Sequence, residues 1–109
     1  MASEYSLQFT GKALADLDEI TGYLVTSLGQ RPAAQRLVDT VEKELQTVCR
    51  FPESGTLVVN DFLRRNDIRK LVIDKYLLYY LADSDTERII VLRFVYGKRD
   101  LNDILREMG

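Results

Sequence analysis

The sequence predicts an α+β fold: a short N-terminal strand, an antiparallel helical hairpin packed on a mainly antiparallel β-meander, and a short C-terminal helix. Three observations predict it. Apolar residues recur every three to four positions over two successive stretches of the first half. Three β-branched or aromatic runs follow, Ile68–Ile73, Tyr76–Ala82 and Arg88–Val95. Short polar segments, Asp74-Lys75 and Asp83–Glu87, join those runs as hairpins. Helices grouped ahead of strands fit helices laid over one face of a sheet.

Each element has its own signal. Tyr5–Phe9 alternates, with Tyr5, Leu7 and Phe9 on one side, which suits a short strand. Thr10 stands where a helix N-cap belongs. Ala13, Leu14, Leu17, Ile20, Leu24 and Leu28 then form one helical stripe, and Gly29 ends it. Asp16, Asp18 and Glu19 lie early in this helix, where they favour its dipole. Pro32 opens a second helix, running to about Arg50, whose stripe is Ala34, Leu37, Val38, Val41, Leu45 and Val48. Cys49 falls on its buried side and reads as inert. The short connection makes the helices antiparallel neighbours. Phe51-Pro52-Glu53-Ser54-Gly55 breaks the pattern, and Thr56–Val59 suits a further extended segment. After the meander, Leu101, Ile104, Leu105 and Met108 space a short helix with Asp100 as its N-cap.

A chain of 109 residues, 46% hydrophobic and 29% charged, is expected to form one soluble domain over residues 1–109. It holds no apolar run long enough to span a bilayer, and its N-terminus lacks a secretion signal, so a cytoplasmic protein is expected. One cysteine and no histidine leave no disulfide framework and disfavour a transition-metal site. No metal or other cofactor is expected.

The net charge of −2 argues against binding nucleic acid through bulk positive charge, and no sequence-specific DNA binding by this chain alone is expected. The charge is nevertheless uneven. Between Phe62 and Lys75, the cations Arg64, Arg65, Arg69, Lys70 and Lys75 face only Asp67 and Asp74. That segment reads equally as a solvated face or as a basic patch for a partner. The last run empties into Tyr96-Gly97-Lys98-Arg99-Asp100, a cationic strand end of the kind that carries function.

Several phrases, in this order, resemble the RelE/ParE toxin superfamily, the toxin halves of bacterial toxin–antitoxin modules, and its ParE-like members most. They are Phe9-Thr10-Gly11-Lys12-Ala13 with Asp16-Leu17, then Phe51-Pro52-Glu53-Ser54-Gly55 and Ile68-Arg69-Lys70-Leu71. Tyr76-Leu77-Leu78-Tyr79-Tyr80, Val91-Leu92-Arg93 and Gly97-Lys98-Arg99-Asp100 complete the set. The resemblance implies a plasmid-stabilisation type of toxin and a cognate antitoxin that wraps it. It implies one of two actions: ParE-like members bind and poison DNA gyrase, whereas RelE-like members cut mRNA on the ribosome. A toxin fold kept only as a binding or regulatory module is the third possibility.

The nuclease reading requires a base for the 2′-hydroxyl, cations for phosphorane charge and an acid for the leaving oxygen. Lys70 and Arg99 match positions where RelE-like enzymes carry such groups. Ile68, Leu77 and Leu105 stand where a second lysine, an arginine and a tyrosine would be, and no histidine serves the sister pattern. The resemblance therefore favours target binding, with Arg64, Arg65, Arg69, Tyr96, Lys98 and Arg99 as candidate contacts. Each has a plainer alternative. Lys70 suits an ordinary strand position, and Arg99 an ion pair with Asp100 or Asp103 or an anchor for the last helix. Tyr76, Tyr79 and Tyr80 suit core packing rather than RNA stacking, and Tyr96 stands where many ParE-like sequences have histidine before glycine.

Overall fold

A computed structural model of the protein describes residues 4–61, 63, 65–98 and 106. The chain runs through β1 (Ser6–Phe9), α1 (Gly11–Gly22), one π-helical turn (Tyr23–Ser27) and α2 (Arg31–Arg50). β2 (Thr56–Leu57), β3 (Ile68–Ile73), β4 (Tyr76–Asp83) and β5 (Arg88–Tyr96) follow. The strands form one five-stranded sheet in the order β1-β5-β4-β3-β2. β1 lies parallel to β5, and every other pair is antiparallel. The two helices pack on one face of this sheet, as the hydrophobic periodicities predict.

The hairpin turns work through local chemistry. Asp74 takes the positive φ of 56° that a two-residue turn needs, closing the Ile73↔Tyr76 pair. In the β4–β5 turn the Asp83 carboxylate accepts the N–H groups of Asp85 and Thr86, and Glu87 takes φ 51°.

Strand alternation then sorts the aromatic side chains. Tyr76, Leu78 and Tyr80 join Ile73, Ile89, Val91 and Phe94 beneath the helices. There they meet Ala13, Leu37, Val41, Leu45, Val48 and Cys49. On the other face Tyr79, Ile68 and Val95 are covered by Val58 and Leu63 from the segment after β2. Both faces of the central strands are thus buried, which is why β4 and β5 read as nearly continuous apolar runs. The packing roles expected of Tyr76, Tyr79, Tyr80 and Cys49 are met.

Thr10 caps α1 as expected, its Oγ1 accepting the Ala13 N–H at 3.1 Å. The expected α1 stripe needs correction. Leu14 is 50% exposed and Leu28 is also exposed, whereas Asp16 is buried beside Ala13. Helix α1 begins at Gly11, so the inward arc runs through Ala13, Asp16, Leu17, Ile20 and Leu24. The π-helical turn then shifts the phase of the last residues and turns Leu28 outward. No acid lies in the first turn, so the dipole role expected of Asp16 is also corrected. Gly29, with φ 63°, ends the segment, and the Gln30 N–H returns to the Leu24 carbonyl at 2.7 Å.

Helix α2 matches expectation, with Pro32 in its first turn and Ala34, Leu37, Val41, Leu45, Val48 and Cys49 buried. The extended segment expected at Thr56–Val59 shrinks to the two residues of β2. The C-terminal helix expected after Asp100 lies outside the described residues apart from Arg106, which is helical. Among the described residues no helix is long and apolar enough to cross a membrane.

Candidate functional site

The exposed features depend on how two loops and one strand edge are fixed. β1 pairs with β5 only as far as Phe9↔Val91, after which the chain turns away into α1. The outer edge of β5 beyond that point is completed by α1 itself. Thr10 donates its N–H to the Val91 carbonyl at 3.0 Å and its hydroxyl to the Leu92 carbonyl at 3.2 Å. The β4–β5 register slips between Tyr79 and Tyr80, so that Tyr79 faces Arg93 and Tyr80 faces Val91, with Leu92 as the extra residue. A bulge of this kind re-aims side chains. Arg93, 4% exposed, donates Nε to Asp16 Oδ2 at 2.7 Å and Nη2 to Oδ1 at 3.1 Å. The same Oδ2 accepts the Phe94 N–H at 3.0 Å.

A second lock holds the Phe51–Gly55 loop. The Tyr80 hydroxyl donates to the Pro52 carbonyl at 2.9 Å and accepts the Gly55 N–H at 2.8 Å. Arg69 donates Nη1 to the carbonyls of Glu53 and Gly55, at 3.2 and 2.9 Å. The approach is close enough that a Cβ on Gly55 would stand 2.6 Å from the Tyr80 hydroxyl and 3.0 Å from the Lys70 carbonyl. Glycine is required there for space.

Four described arginines of the sheet half are therefore engaged within the fold. Arg93 and Arg69 act as above, and Arg65 grips Asp67 through two bonds of 2.9 and 2.7 Å. Arg88 donates to Gln8 at 2.7 Å and to Thr86 at 2.9 Å. The lysines behave differently. Among the described residues Lys70, Lys75 and Lys98 make no side-chain hydrogen bond or ion pair.

Of the candidates read from sequence, Tyr96 and Lys98 come together with Lys75 at one end of the sheet, where the Gly97 N–H donates to the Lys75 carbonyl at 2.9 Å. Tyr96 is half-exposed and meets Tyr76 edge-on at 6.0 Å, while Tyr76 stacks on Phe94 at 5.3 Å. Tyr76, Tyr96, Tyr23, Leu24, Leu28 and Lys75 line a cleft of about 550 Å³. Lys70 lies elsewhere, on the helix-free face between Thr56 and Tyr79. Arg65 and Arg69 are turned to internal partners, and Arg64 and Arg99 lie outside the described residues.

The chemistry available around Lys70 is limited. Its neighbours on that face are Thr56, Ile68, Val72, Leu77 and Tyr79, none of them a carboxylate or imidazole. Tyr79 is buried, and burial pushes its phenol above the ordinary range, keeping it protonated. Among the described residues no group of three or more histidine, cysteine or acidic residues is placed to hold a metal. Sequence reasoning missed the Asp16–Arg93 pair. Its available signal was a charged residue set inside an otherwise apolar helical stripe.

Comparison with known proteins places this geometry. No curated protein matches the chain. A toxin–antitoxin structure, the chromosomal ParDE system from P. aeruginosa, superposes with a TM-score of 0.68 at 21% identity, covering 87% of this chain and 98% of the other. The RelBE2 toxin–antitoxin complex of Mycobacterium tuberculosis follows at 0.59 and 18%, covering 86% and 99%. A mutant of the E. coli toxin RelE in the free state gives 0.61 and 16%, covering 96% of each chain. At these identities the likeness establishes the RelE/ParE fold. The family model that describes the ParE toxin of the type II toxin–antitoxin system, parDE, matches residues 7–101, and the chain belongs to that family.

Proposed function

We propose that this toxin acts in the ParE-like manner, by binding and inhibiting DNA gyrase in the cytoplasm, and that a cognate antitoxin neutralises it. The observation that carries this reading is the contrast between its cations and its acid–base groups. Among the described residues Lys70, Lys75 and Lys98 make no side-chain hydrogen bond or ion pair, and Tyr96 and Val72 are exposed near them, whereas no described base or acid is paired beside Lys70 on its face of the sheet. Cations set among apolar and aromatic groups suit recognition of an acidic protein surface. Covering the same ends with an acidic antitoxin segment would neutralise them. Arg93, one of the arginines in the family-like phrases, is buried against Asp16 and cannot serve a phosphate.

The test is to induce the protein without an antitoxin and follow DNA and protein synthesis in one culture, alongside gyrase supercoiling with purified components. The reading expects DNA synthesis to fall first and supercoiling to be inhibited. Early loss of protein synthesis with mRNA cut on ribosomes would instead support a RelE-like nuclease built on Lys70 and Arg99. If neither synthesis falls, the fold serves only to bind.

A further inference from the structure

We infer that the cleft between the π-helical turn and the Lys75 end of the sheet binds a small zwitterion with an apolar body, of the class of a free apolar amino acid or dipeptide. Its volume of about 550 Å³ lies within the range of small-molecule sites. The π-helical turn builds the helix wall: the Leu28 N–H returns to the Tyr23 carbonyl at 3.2 Å, and both side chains line the opening. Such turns recur at functional sites, where the extra residue breaks the regular phase of a helix. Ile20 and Leu24 continue this wall and pack against the core. The strand end forms the other wall, through Lys75, Tyr76 and Tyr96.

The polar groups of the cleft specify the ligand. Tyr76 is only 8% exposed, and its ring is held by Phe94 at 5.3 Å and Tyr96 at 6.0 Å. Buried hydroxyls are ordinarily hydrogen-bonded, yet that of Tyr76 has no partner in the fold. No side-chain oxygen among the described residues is both fully enclosed and unpartnered, so this hydroxyl keeps its access to solvent, and the cleft is where Tyr76 opens. Glu19 on the helix wall and Lys75 on the strand wall are the charged side chains lining the cleft. They form no ion pair with each other or with any other described residue. Opposite charges kept apart across an apolar cleft fit a ligand that carries both signs. Its ammonium would meet Glu19, its carboxylate Lys75 and the Tyr76 hydroxyl, and its body Ile20, Leu24 and Leu28. A bare anion such as a phosphate would face Glu19, and a bare cation would face Lys75, each at a cost.

The probes are L-phenylalanine and the dipeptide leucyl-phenylalanine, added to the isotope-labelled full chain and followed by its amide chemical shifts. Saturable binding is expected, with shifts centred on Tyr23, Leu24 and Gly97. Blocking the ammonium, as in N-acetylphenylalanine, or the carboxylate, as in phenylalanine amide, should weaken binding by about tenfold or more. Glu19→Gln should weaken phenylalanine without weakening N-acetylphenylalanine. Lys75→Gln should weaken phenylalanine without weakening its amide. A merely apolar gap would give neither pairing. Tyr76→Phe should weaken both probes by about threefold or more and leave thermal unfolding unchanged, since the hydroxyl has no internal bond to lose. The tighter of the two probes identifies the source as amino acid or peptide. Three results overturn the inference: no saturation by either probe at millimolar concentration, blocked ligands that bind as well as phenylalanine, or binding undiminished in all three variants. The inference stands apart from the gyrase reading, which is tested by supercoiling, so either can fail alone.

Discussion

One oxygen of Asp16, Oδ2, holds both the Arg93 guanidinium at 2.7 Å and the Phe94 backbone N–H at 3.0 Å, so α1 completes the strand edge that β1 leaves at Phe9. Both side chains are almost wholly buried. Removing one member of such a pair strands a charge in a low-dielectric interior, whereas replacing both with apolar groups is far better tolerated. Asp16→Ala is therefore expected to cost on the order of 3 kcal/mol in urea denaturation. Asp16→Ala combined with Arg93→Leu should recover much of that loss. A double variant no more stable than the single one would mean that the hydrogen bond to Phe94 matters more than the charges.

Tyr80 and Gly55 give a second expectation. The hydroxyl satisfies a donor and an acceptor of one loop, so Tyr80→Phe leaves both without their partner in a buried place. The expected loss is about 1–3 kcal/mol. Gly55→Ala should destabilise comparably for a different reason, because the new Cβ meets the Lys70 backbone carbonyl as well as the Tyr80 ring and hydroxyl. Thermal unfolding of the two variants checks this, and a neutral Gly55→Ala would mean that the loop is not held as tightly as these distances require.

These two relationships also mark where sequence reading stops. The helices and the meander are legible because their periods, of about 3.6 and 2, survive in Ala34–Val48 and in Ile68–Val95. The Asp16–Arg93 pair depends on a parallel strand that ends early, set by pairing across some eighty positions, and on a bulge at Leu92, set by the register of β5 against β4. Arg69 and Lys70 are adjacent and chemically alike in sequence. The pleat gives them opposite faces, and the loop seated at Gly55 engages Arg69, while Lys70 makes no side-chain bond among the described residues. Of the expected contacts, Tyr96 and Lys98 meet at one end, a position that follows from β5 pairing with β4 through Tyr96↔Tyr76.

The Arg65–Asp67 pair gives a small pH effect of definite sign. Its hydrogen bond from Arg65 holds the Asp67 carboxyl below the ordinary value of 3.8. A folded pKa lowered in this way contributes stability above the unfolded value, and that contribution is lost as pH falls through the folded one. With side chains 49% and 45% exposed, solvent screens the pair, and less than about 1 kcal/mol is expected at low salt. Arg65→Ala should thus be slightly less stable than the parent near neutral pH and equal to it in strong acid. A deficit that persists in strong acid, or that ignores added salt, would assign Arg65 a packing role instead.

Adjacent cations on β3 are expected to separate stability from action. Arg69→Ala removes two bonds to the Glu53 and Gly55 carbonyls and should lower stability by about 1–3 kcal/mol. Lys70→Ala removes no described bond, so stability should stay within about 0.5 kcal/mol of the parent. If the helix-free face meets the target, Lys70→Glu should weaken gyrase inhibition by about tenfold or more, because a reversed charge at an interface opposes the partner's acids. Lys98→Glu, at the Tyr96 end, tests the other cationic surface in the same assay. Should Lys98→Glu abolish inhibition while Lys70→Glu leaves it intact, the target sits on the strand end beside Tyr96, and the face around Lys70 and Val72 remains available to a second partner held at the same time.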